Sequence, residues 1–144
     1  MSRLRPLALL LSVTAAATLA ACASRNPAVN DGVDSDVVIF PGAGAAEQVQ
    51  NGCWATFFNE RNFNGDSLTL VGPAELKTLD KGTAQQLKRD IKSVITGPRA
   101  TLTLYEKQFL SARSVGFQPA SREAGLMEKL GFGGRVESMQ LRCS

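Results

Sequence analysis

The side chains that could do chemistry here are three cysteines, the carboxylates, the lysines and one tyrosine, because the sequence contains no histidine. Histidine is the most frequent general base and metal ligand near neutral pH. Its absence removes Ser-His and Cys-His nucleophile systems and most zinc sites. The spacing of the carboxylates suggests no paired acid-base site. We therefore expect a protein that is not an enzyme.

The first 21 residues have the pattern of an export signal. Arg3 and Arg5 form a positive start, and residues 7–19 are apolar or small. This run of about 13 residues is too short to cross a bilayer as a permanent helix. The closing Leu19-Ala20-Ala21-Cys22 resembles the bacterial lipobox, which implies that Cys22 is acylated, with chains such as palmitate, and becomes the first residue of the mature lipoprotein. The alternative is an ordinary cleaved signal with Cys22 as an incidental thiol.

The same resemblance also indicates where in the cell the protein is located. Ala23 after the cysteine, rather than Asp, favours sorting to the outer membrane of a Gram-negative cell. We expect the cell envelope as the location and the membrane as a partner through the N-terminal lipid, with the periplasmic and cell-surface faces both open. Once residues 1–21 are removed, basic and acidic side chains nearly balance, which argues against nucleic acid as a partner.

Residues 22–52 are expected to form a lipidated, flexible tether. The segment is rich in Ala, Gly and Pro-containing pairs, a composition that cannot bury enough apolar surface to order itself. About 30 flexible residues reach on the order of 30 Å, which would hold a domain off the membrane. One apolar run, Val37-Val38-Ile39-Phe40, interrupts the tether. It could be a plain segment, dock on the domain or add a strand to a partner's sheet.

Residues 53–144 have the pattern of an all-β domain. Ser67–Val71 and Ala100–Tyr105 alternate with period two, and Gly and Pro separate such runs. The chain also repeats itself, since residues 55–58 match 102–105 and residues 91–94 match 136–139. The repeat predicts two motifs, 53–98 and 99–144, with a shared core. The expected core residues are Ala55, Phe57, Leu68, Leu70, Ile91, Val94, Leu102, Leu104, Val136 and Met139.

The first motif contains a recognisable spacing. Phe58, Phe63 and Gly65 follow the aromatic, aromatic and glycine signature of the βγ-crystallin Greek key, and Ser93 matches a serine later in that motif. The chain from Cys53 to Cys143 thus resembles a two-motif βγ-crystallin domain. This resemblance implies an all-β fold, a two-sheet Greek-key sandwich.

The second motif departs from the signature. It keeps Tyr105, Glu106 and Ser138, but its next aromatic, Phe109, comes one residue early. Ser111 then stands where the signature has glycine. We expect a weaker second hairpin within the same fold.

A short helix is predicted before the last strand. Residues 121–130 have a capping-type start and apolar residues at helical spacing, which predicts one or two turns ending before Gly131. Leu126, Met127 and Leu130 are expected to cover the core.

With Cys22 assigned to lipid, Cys53 and Cys143 remain. Export would place them in an oxidising compartment, where a pair of cysteines is expected to form a disulfide. Unbridged thiols are the alternative, and a redox-active role is disfavoured because the sequence has no Cys-x-x-Cys.

Calcium is the one cofactor that the resemblance raises. Many microbial βγ-crystallins bind Ca²⁺ through two Asp/Asn residues, two variable positions, a Ser/Thr and a Ser. Here the matching segments are residues 88–93 and 133–138, which lack both acidic pairs and place Lys88, Arg89 and Lys92 in the first. Cations there repel Ca²⁺. We expect no metal site, with Asp90 and Glu137 as weak calcium candidates.

The sequence therefore predicts a lipid-anchored, non-catalytic βγ-crystallin-like module of the cell envelope that acts structurally or by binding an unknown envelope protein or glycan. The domain from Cys53 has 13 basic and 9 acidic side chains, a mild excess that would favour anionic surfaces. One alternative is an extracytoplasmic inhibitor of a protease or other hydrolase, because some small secreted proteins of this fold have that role. A second alternative is a calcium-binding envelope module.

Overall fold

A computed structural model of the chain describes residues 38–42, 51–132 and 135–144. These residues form nine strands, two short α-helices and one 3₁₀ turn at Arg61–Phe63. The strands are β1 Val38–Pro41, β2 Trp54–Phe58, β3 Ser67–Val71, β4 Ala74–Leu76, β5 Ser93–Thr96, β6 Ala100–Lys107, β7 Ser111–Phe117, β8 Arg122–Glu123 and β9 Ser138–Cys143. The helices are α1 Ala84–Arg89 and α2 Leu126–Leu130.

The strands form two antiparallel sheets. The first sheet has the order β1-β3-β2-β5-β8 and the second has the order β4-β9-β6-β7. Each motif contributes one strand to the sheet of the other, because β4 pairs with β9 and β8 pairs with β5. The two motifs are thereby interlocked, and the predicted Greek-key sandwich of two related motifs is confirmed.

The core lies between the sheets, and period-two alternation explains how residues reach it. In β6, Ala100, Leu102 and Leu104 are buried while the residues between them are partly exposed. All ten predicted core residues are buried in the structure. Leu76, Leu79, Leu87 and Leu141 are among the further residues buried beside them.

The disulfide between Cys53 and Cys143 is confirmed. The two Cα atoms lie 5.4 Å apart, and the bond joins residues 90 positions apart. Cys53 directly precedes β2, and Cys143 pairs with Ala100 at the start of β6. Strands β2 and β6 therefore both begin beside the disulfide, and the hairpins that follow them lie at the far ends of these strands.

Part of the expected tether is a strand. Val38–Pro41 pairs antiparallel with Val71–Leu68 at the edge of the first sheet, and Ile39 is only 3% exposed. Gly42 N–H donates to the Ser67 carbonyl (2.7 Å). Expecting a flexible tether as far as residue 52 was therefore wrong for this stretch, because Ile39 reaches the core. Of the three roles left open for the apolar run, the structure shows docking on the domain.

The helices differ in part from expectation. α2 ends at Gly131, whose φ of 67° is left-handed, as predicted for a residue that closes a helix. Its Leu126 and Leu130 are buried, but Met127 is 41% exposed and does not cover the core. The start expected near residue 121 is wrong, since Arg122–Glu123 forms β8. Helix α1 was not predicted. Within the described residues, every helix is too short or too polar to cross a membrane.

Candidate functional site

The first hairpin, residues 59–66 between β2 and β3, is held down by a buried serine. Ser93 lies opposite Phe58 in the sheet and is fully buried. Its Oγ accepts a hydrogen bond from Phe63 N–H (3.0 Å) and donates one to the Glu60 carbonyl (2.6 Å). The hydroxyl thus satisfies two backbone groups that the hairpin tip turns away from the strand ladder.

The aromatic and glycine positions of this hairpin have the roles that the signature implies. The rings of Phe58 and Phe63 meet edge to face, with centroids 5.9 Å apart. The Phe63 ring also contacts the Arg122 guanidinium, whose central carbon lies 4.5 Å from the ring centre. Gly65 has a φ of 78°, and a Cβ at this position would lie 2.1 Å from Asn59 Oδ1. Both the left-handed backbone and the lack of room for a Cβ favour glycine at this position.

The second hairpin, between β6 and β7, repeats the serine contacts. Ser138 lies opposite Tyr105 and is fully buried. Its Oγ accepts a hydrogen bond from Leu110 N–H (3.0 Å) and donates one to the Lys107 carbonyl (2.5 Å). Lys107 and Leu110 therefore correspond to the two backbone partners of the first serine. The hydrogen bonds define the register between the motifs more directly than residue types do.

By this register, Phe109 is not the second aromatic position of the second motif, and the expectation that it is was wrong. Leu110 contacts Ser138 as Phe63 contacts Ser93, so leucine takes the place of the second aromatic. Sequence matching favoured an aromatic side chain one residue early. The correct spacing was available in the sequence, because Leu110 follows Tyr105 by the same five positions that separate the two aromatics of the first hairpin.

The glycine position of the second hairpin shifts by one residue as well. Ala112, not Ser111, has the left-handed φ of 65° that corresponds to Gly65. Alanine in this conformation costs roughly 1 to 2 kcal/mol relative to an ordinary backbone. The second hairpin therefore keeps the fold of the first while lacking both its second aromatic and its glycine.

Phe109 lies at the tip of the second hairpin and is 70% exposed. Its φ is 57°, and its N–H donates to the Lys77 carbonyl (2.7 Å). The corresponding residue of the first hairpin is Asn62, with a φ of 59°. Asparagine is one of the few residues that tolerate this backbone region, whereas phenylalanine is unusual there.

Glu106 is paired across the second hairpin. Arg113 Nη2 and Nε donate to its two carboxylate oxygens at 2.8 and 3.0 Å. These hydrogen bonds lower the pKa of Glu106 and raise the pKa of Arg113. A carboxylate held ionised in this way braces the hairpin and is poorly suited to act as a general acid.

Asp80 joins the two motifs. Its carboxylate accepts hydrogen bonds from Lys88 at α1, from Gln108 in the second hairpin and from Thr78, and Lys88 also forms an ion pair with it. The hydrogen bond from Lys88 is the main cause that lowers the pKa of Asp80. Lys88 stands at one of the positions where the calcium motif has an acidic residue, and here it is the partner of an acidic residue instead.

The two weak calcium candidates occupy different places. Asp90 is exposed after α1, and Glu137 is half-buried before β9, where its N–H donates to the Tyr105 carbonyl (3.1 Å). Across residues 38–42, 51–132 and 135–144, no group of three His, Cys, Asp or Glu side chains is placed to hold a metal. Residues 133 and 134 lie outside the described part of the chain.

A shallow cleft of about 230 Å³ lies between the first hairpin and α1. Asp66 and Asp90 line it together with Asn59 and Gln86. Asn59 Oδ1 is buried without a hydrogen-bond partner, and it lies against Gly65. Sequence reasoning missed Asn59 and Asp66, because neither belongs to the signature.

Cys22 and the lipobox lie outside the described residues. Acylation of Cys22 therefore stays a prediction from the sequence.

Known structures share this fold. One is a domain solved in work on the evolution of the eye lens βγ-crystallin domain fold, with a TM-score of 0.61 and 15% identity over 74% of this chain and 98% of that one. Another is a βγ-crystallin domain of Abundant Perithecial Protein from Neurospora crassa in the Ca²⁺-bound form, with a TM-score of 0.52 and 13% identity over 65% and 92%. Spherulin 3a from Physarum polycephalum matches with a TM-score of 0.50 and 17% identity over 65% and 85%.

No protein-family model matches the chain, and no curated protein matches it. The class of fold is nonetheless defined, because the two interlocked sheets and the structural matches agree. The chain has the βγ-crystallin Greek-key fold.

Proposed function

We propose that this protein is a lipid-anchored, non-catalytic βγ-crystallin-like module of the bacterial cell envelope, held at the outer membrane, with a structural or binding role. The observation that carries the proposal is that two of the three cysteines are paired and the third lies in the lipobox-like sequence. Cys53 and Cys143 form a disulfide, which leaves Cys22 as the remaining thiol. That thiol follows Leu19-Ala20-Ala21 and a run of apolar residues, which is where a lipoprotein carries its acyl chains.

The disulfide also supports export. Disulfides persist mainly in oxidising compartments such as the bacterial periplasm and the cell surface. A domain closed by a disulfide between the start of β2 and the end of β9 is therefore suited to the far side of the inner membrane.

Docking of β1 changes how the domain would sit on the membrane. β1 begins at Val38, so only residues 23–37 would separate the lipidated cysteine from the folded sheet. A flexible segment of this length reaches on the order of 20 Å, against about 30 Å for the whole segment to residue 52. The domain would be held close to the bilayer.

Three carboxylates are engaged in contacts that suit a structural role better than acid-base catalysis. Asp80, Glu106 and Glu128 have lowered pKa values because Lys88 and Arg113 donate to the first two, and backbone and Arg61 hydrogen bonds act on the third. General acids and bases need pKa values moved toward neutrality, which is the opposite direction for a carboxylate.

The experiment is fatty-acid labelling of the full chain in a Gram-negative host. We expect the chain to incorporate the label and to fractionate with membranes, while Cys22→Ser incorporates none and is released. Cys53→Ala/Cys143→Ala is the matched control and should still be labelled. Equal behaviour of the parent chain and Cys22→Ser would contradict the proposal.

A calcium-binding module is the second candidate, because the similar Neurospora crassa domain is in the Ca²⁺-bound form. Against it, Lys88 and Lys92 occupy positions where that motif has oxygen ligands. Calorimetry with Ca²⁺, together with thermal melts, separates the two ideas. Tight binding with a raised melting temperature would favour the calcium module, and an absence of heat and of any shift would favour the anchored module that does not depend on calcium.

A further inference from the structure

The aromatic side chain at the tip of the second hairpin lies mostly outside the packed part of the fold. Phe109 is 70% exposed, so its ring adds little to the core. Its backbone has a φ of 57°, a conformation that disfavours phenylalanine. The first hairpin uses Asn62 at the corresponding position with nearly the same φ. Phe63 of the first hairpin has a similar φ of 62° but packs its ring on Phe58, so the exposure of the Phe109 ring, rather than its backbone alone, points to a role outside the fold.

The tip is fixed rather than loose. Phe109 N–H donates to the Lys77 carbonyl (2.7 Å), and the next residue, Leu110, donates to Ser138 Oγ (3.0 Å). On the preceding side, the Gln108 amide donates to the Asp80 carboxylate. The ring is therefore presented to solvent from a backbone held on both sides, so ordering it for binding has a small entropic cost.

The charged side chains near Phe109 that have no partner of opposite charge among the described residues are lysines. The nearby carboxylates are engaged, Asp80 by Lys88, Glu106 by Arg113 and Glu75 by a Lys77 contact of 3.9 Å. Lys107 stands two residues before Phe109, and Lys81 follows Asp80 in the chain. Both are exposed, and within the described residues neither has a carboxylate within ion-pair distance. Lys107 therefore carries an exposed ammonium group two residues before the ring, and Lys81 is the neighbour in sequence of Asp80, which accepts a hydrogen bond from Gln108 of the same hairpin.

We propose that residues 107–110 form a membrane-contact tip, in which Phe109 enters the headgroup region of an anionic bilayer while Lys107 and Lys81 contact its phosphates. Aromatic side chains favour the boundary between headgroups and acyl chains, and lysines beside them are attracted to anionic lipid. The inference does not require the lipid at Cys22, and it goes beyond the anchoring proposed above by assigning a second contact with the membrane.

The geometry allows the anchor and the tip to meet one bilayer. β1 and β6 both begin at the disulfide end of the domain, and the tip lies at the far end of β6. The eight residues of β6 span about 26 Å. Residues 23–37, if extended, span up to about 50 Å, which exceeds that distance.

The test is co-sedimentation of residues 22–144 carrying Cys22→Ser, which retains every residue the structure describes and cannot be acylated at Cys22. Vesicles of phosphatidylglycerol with phosphatidylcholine are compared with vesicles of phosphatidylcholine alone. We expect binding to the anionic vesicles, weakened about fivefold to tenfold by Phe109→Asn and by Lys107→Glu. Phe109→Asn copies the first hairpin, so its melting temperature should equal or exceed that of the parent.

A fluorescence measurement locates the tip directly. Trp54 is the single tryptophan, so Phe109→Trp in a Trp54→Phe background reports on the tip alone. Its emission should shift to shorter wavelength when anionic vesicles are added. No binding by the parent chain, equal binding by Phe109→Asn, or an unshifted Trp spectrum would each overturn the membrane contact. Failure here leaves acylation of Cys22 untouched, because the two are measured on different chains.

Discussion

The two hairpins of this domain have the same fold from different side chains. In the first, Phe63 packs on Phe58 and Gly65 takes the left-handed backbone. In the second, Leu110 and Ala112 stand at those positions. What the hairpins share is the buried serine that binds two backbone groups of each tip. The comparison indicates that the serine hydrogen bonds specify the folded hairpin, while the aromatic and the glycine strengthen it.

The edges of the two sheets differ as well. In the first sheet, β1 covers the outer edge of β3. In the second, β7 is one of the two edge strands and pairs only with β6 among the described residues. The first four residues of β7, Ser111–Ser114, are all exposed, so this part of the strand offers no buried apolar face. A polar, exposed edge of this kind resists strand addition, so only the first sheet depends on the N-terminal segment.

The largest effect should come from the bond that ties the two motifs together. Replacing Cys53 and Cys143 by alanine opens a closure between residues 90 positions apart. In the chain-entropy model, this lowers the free energy of unfolding by about 4.6 kcal/mol. Urea denaturation measures the loss, and Cys22→Ser serves as the control that should leave stability unchanged. A loss below about 1 kcal/mol would contradict the role of the disulfide.

The next effect tests whether β1 belongs to the first sheet in solution. Ile39→Ala removes a side chain that is 3% exposed and should lower the free energy of unfolding by about 2 to 4 kcal/mol. The matched control is Ser114→Ala on the exposed edge of the second sheet, which should change it by less than about 0.5 kcal/mol. Equal, negligible effects would mean that the segment is only a tether.

The sequence predicted the fold well because the fold depends on patterns that repeat. Period-two alternation and the internal repeat identified ten core positions that are all buried, and the two distant cysteines identified the bond between them. The second hairpin was misread because its defining contact is a hydrogen bond from a backbone N–H, and a backbone group makes no demand on the type of side chain at position 110.

Two other elements were left open or missed, for different physical reasons. The apolar run at β1 was recognised but its role stayed open, because a four-residue edge strand is stabilised by pairing with its neighbour, which its own composition does not reveal. α1 has six residues, too few for a helical period to stand out, and tertiary packing of Leu87 stabilises it.

The serines provide the sharpest comparison of the hairpins. Ser93→Ala and Ser138→Ala each leave a backbone N–H and carbonyl without their hydroxyl partner, so each should lower the free energy of unfolding by about 2 kcal/mol. Urea denaturation of both single variants checks this equality. A loss at Ser93 with none at Ser138 would mean that the second hairpin is held by something else.

Exchanging the glycine positions should give effects of opposite sign. Gly65→Ala introduces a Cβ near Asn59 Oδ1 and a strained φ, lowering the free energy of unfolding by about 1 to 2 kcal/mol. Ala112→Gly relieves the same strain but frees the unfolded chain, leaving a gain of roughly 0.5 kcal/mol. Thermal melts of the pair measure both. Destabilisation by both substitutions would refute the register in which Ala112 is the counterpart of Gly65.

The smallest effect is the part of the pH dependence that comes from the second hairpin, where Glu106 stands at the position of the uncharged Asn59 in the first. Arg113 lowers the folded pKa of Glu106, so in acid the unfolded state binds more protons. The stabilisation is present above the ordinary pKa of about 4.5 and is lost as the pH falls through the lowered folded value. Glu106→Gln and Arg113→Gln should each flatten this part of the acid limb in denaturation measured against pH. An unchanged limb in both would contradict the pairing.

The proposal for this protein depends on Cys22 being the acylated first residue of the mature chain. Intact mass spectrometry of protein extracted from the membranes of cells that express the full chain tests this directly. The account predicts a chain that begins at Cys22, has lost residues 1–21 and carries the added mass of its acyl groups, with Cys53 and Cys143 oxidised. A soluble chain without added acyl mass, or one cleaved elsewhere with a free Cys22, would contradict it.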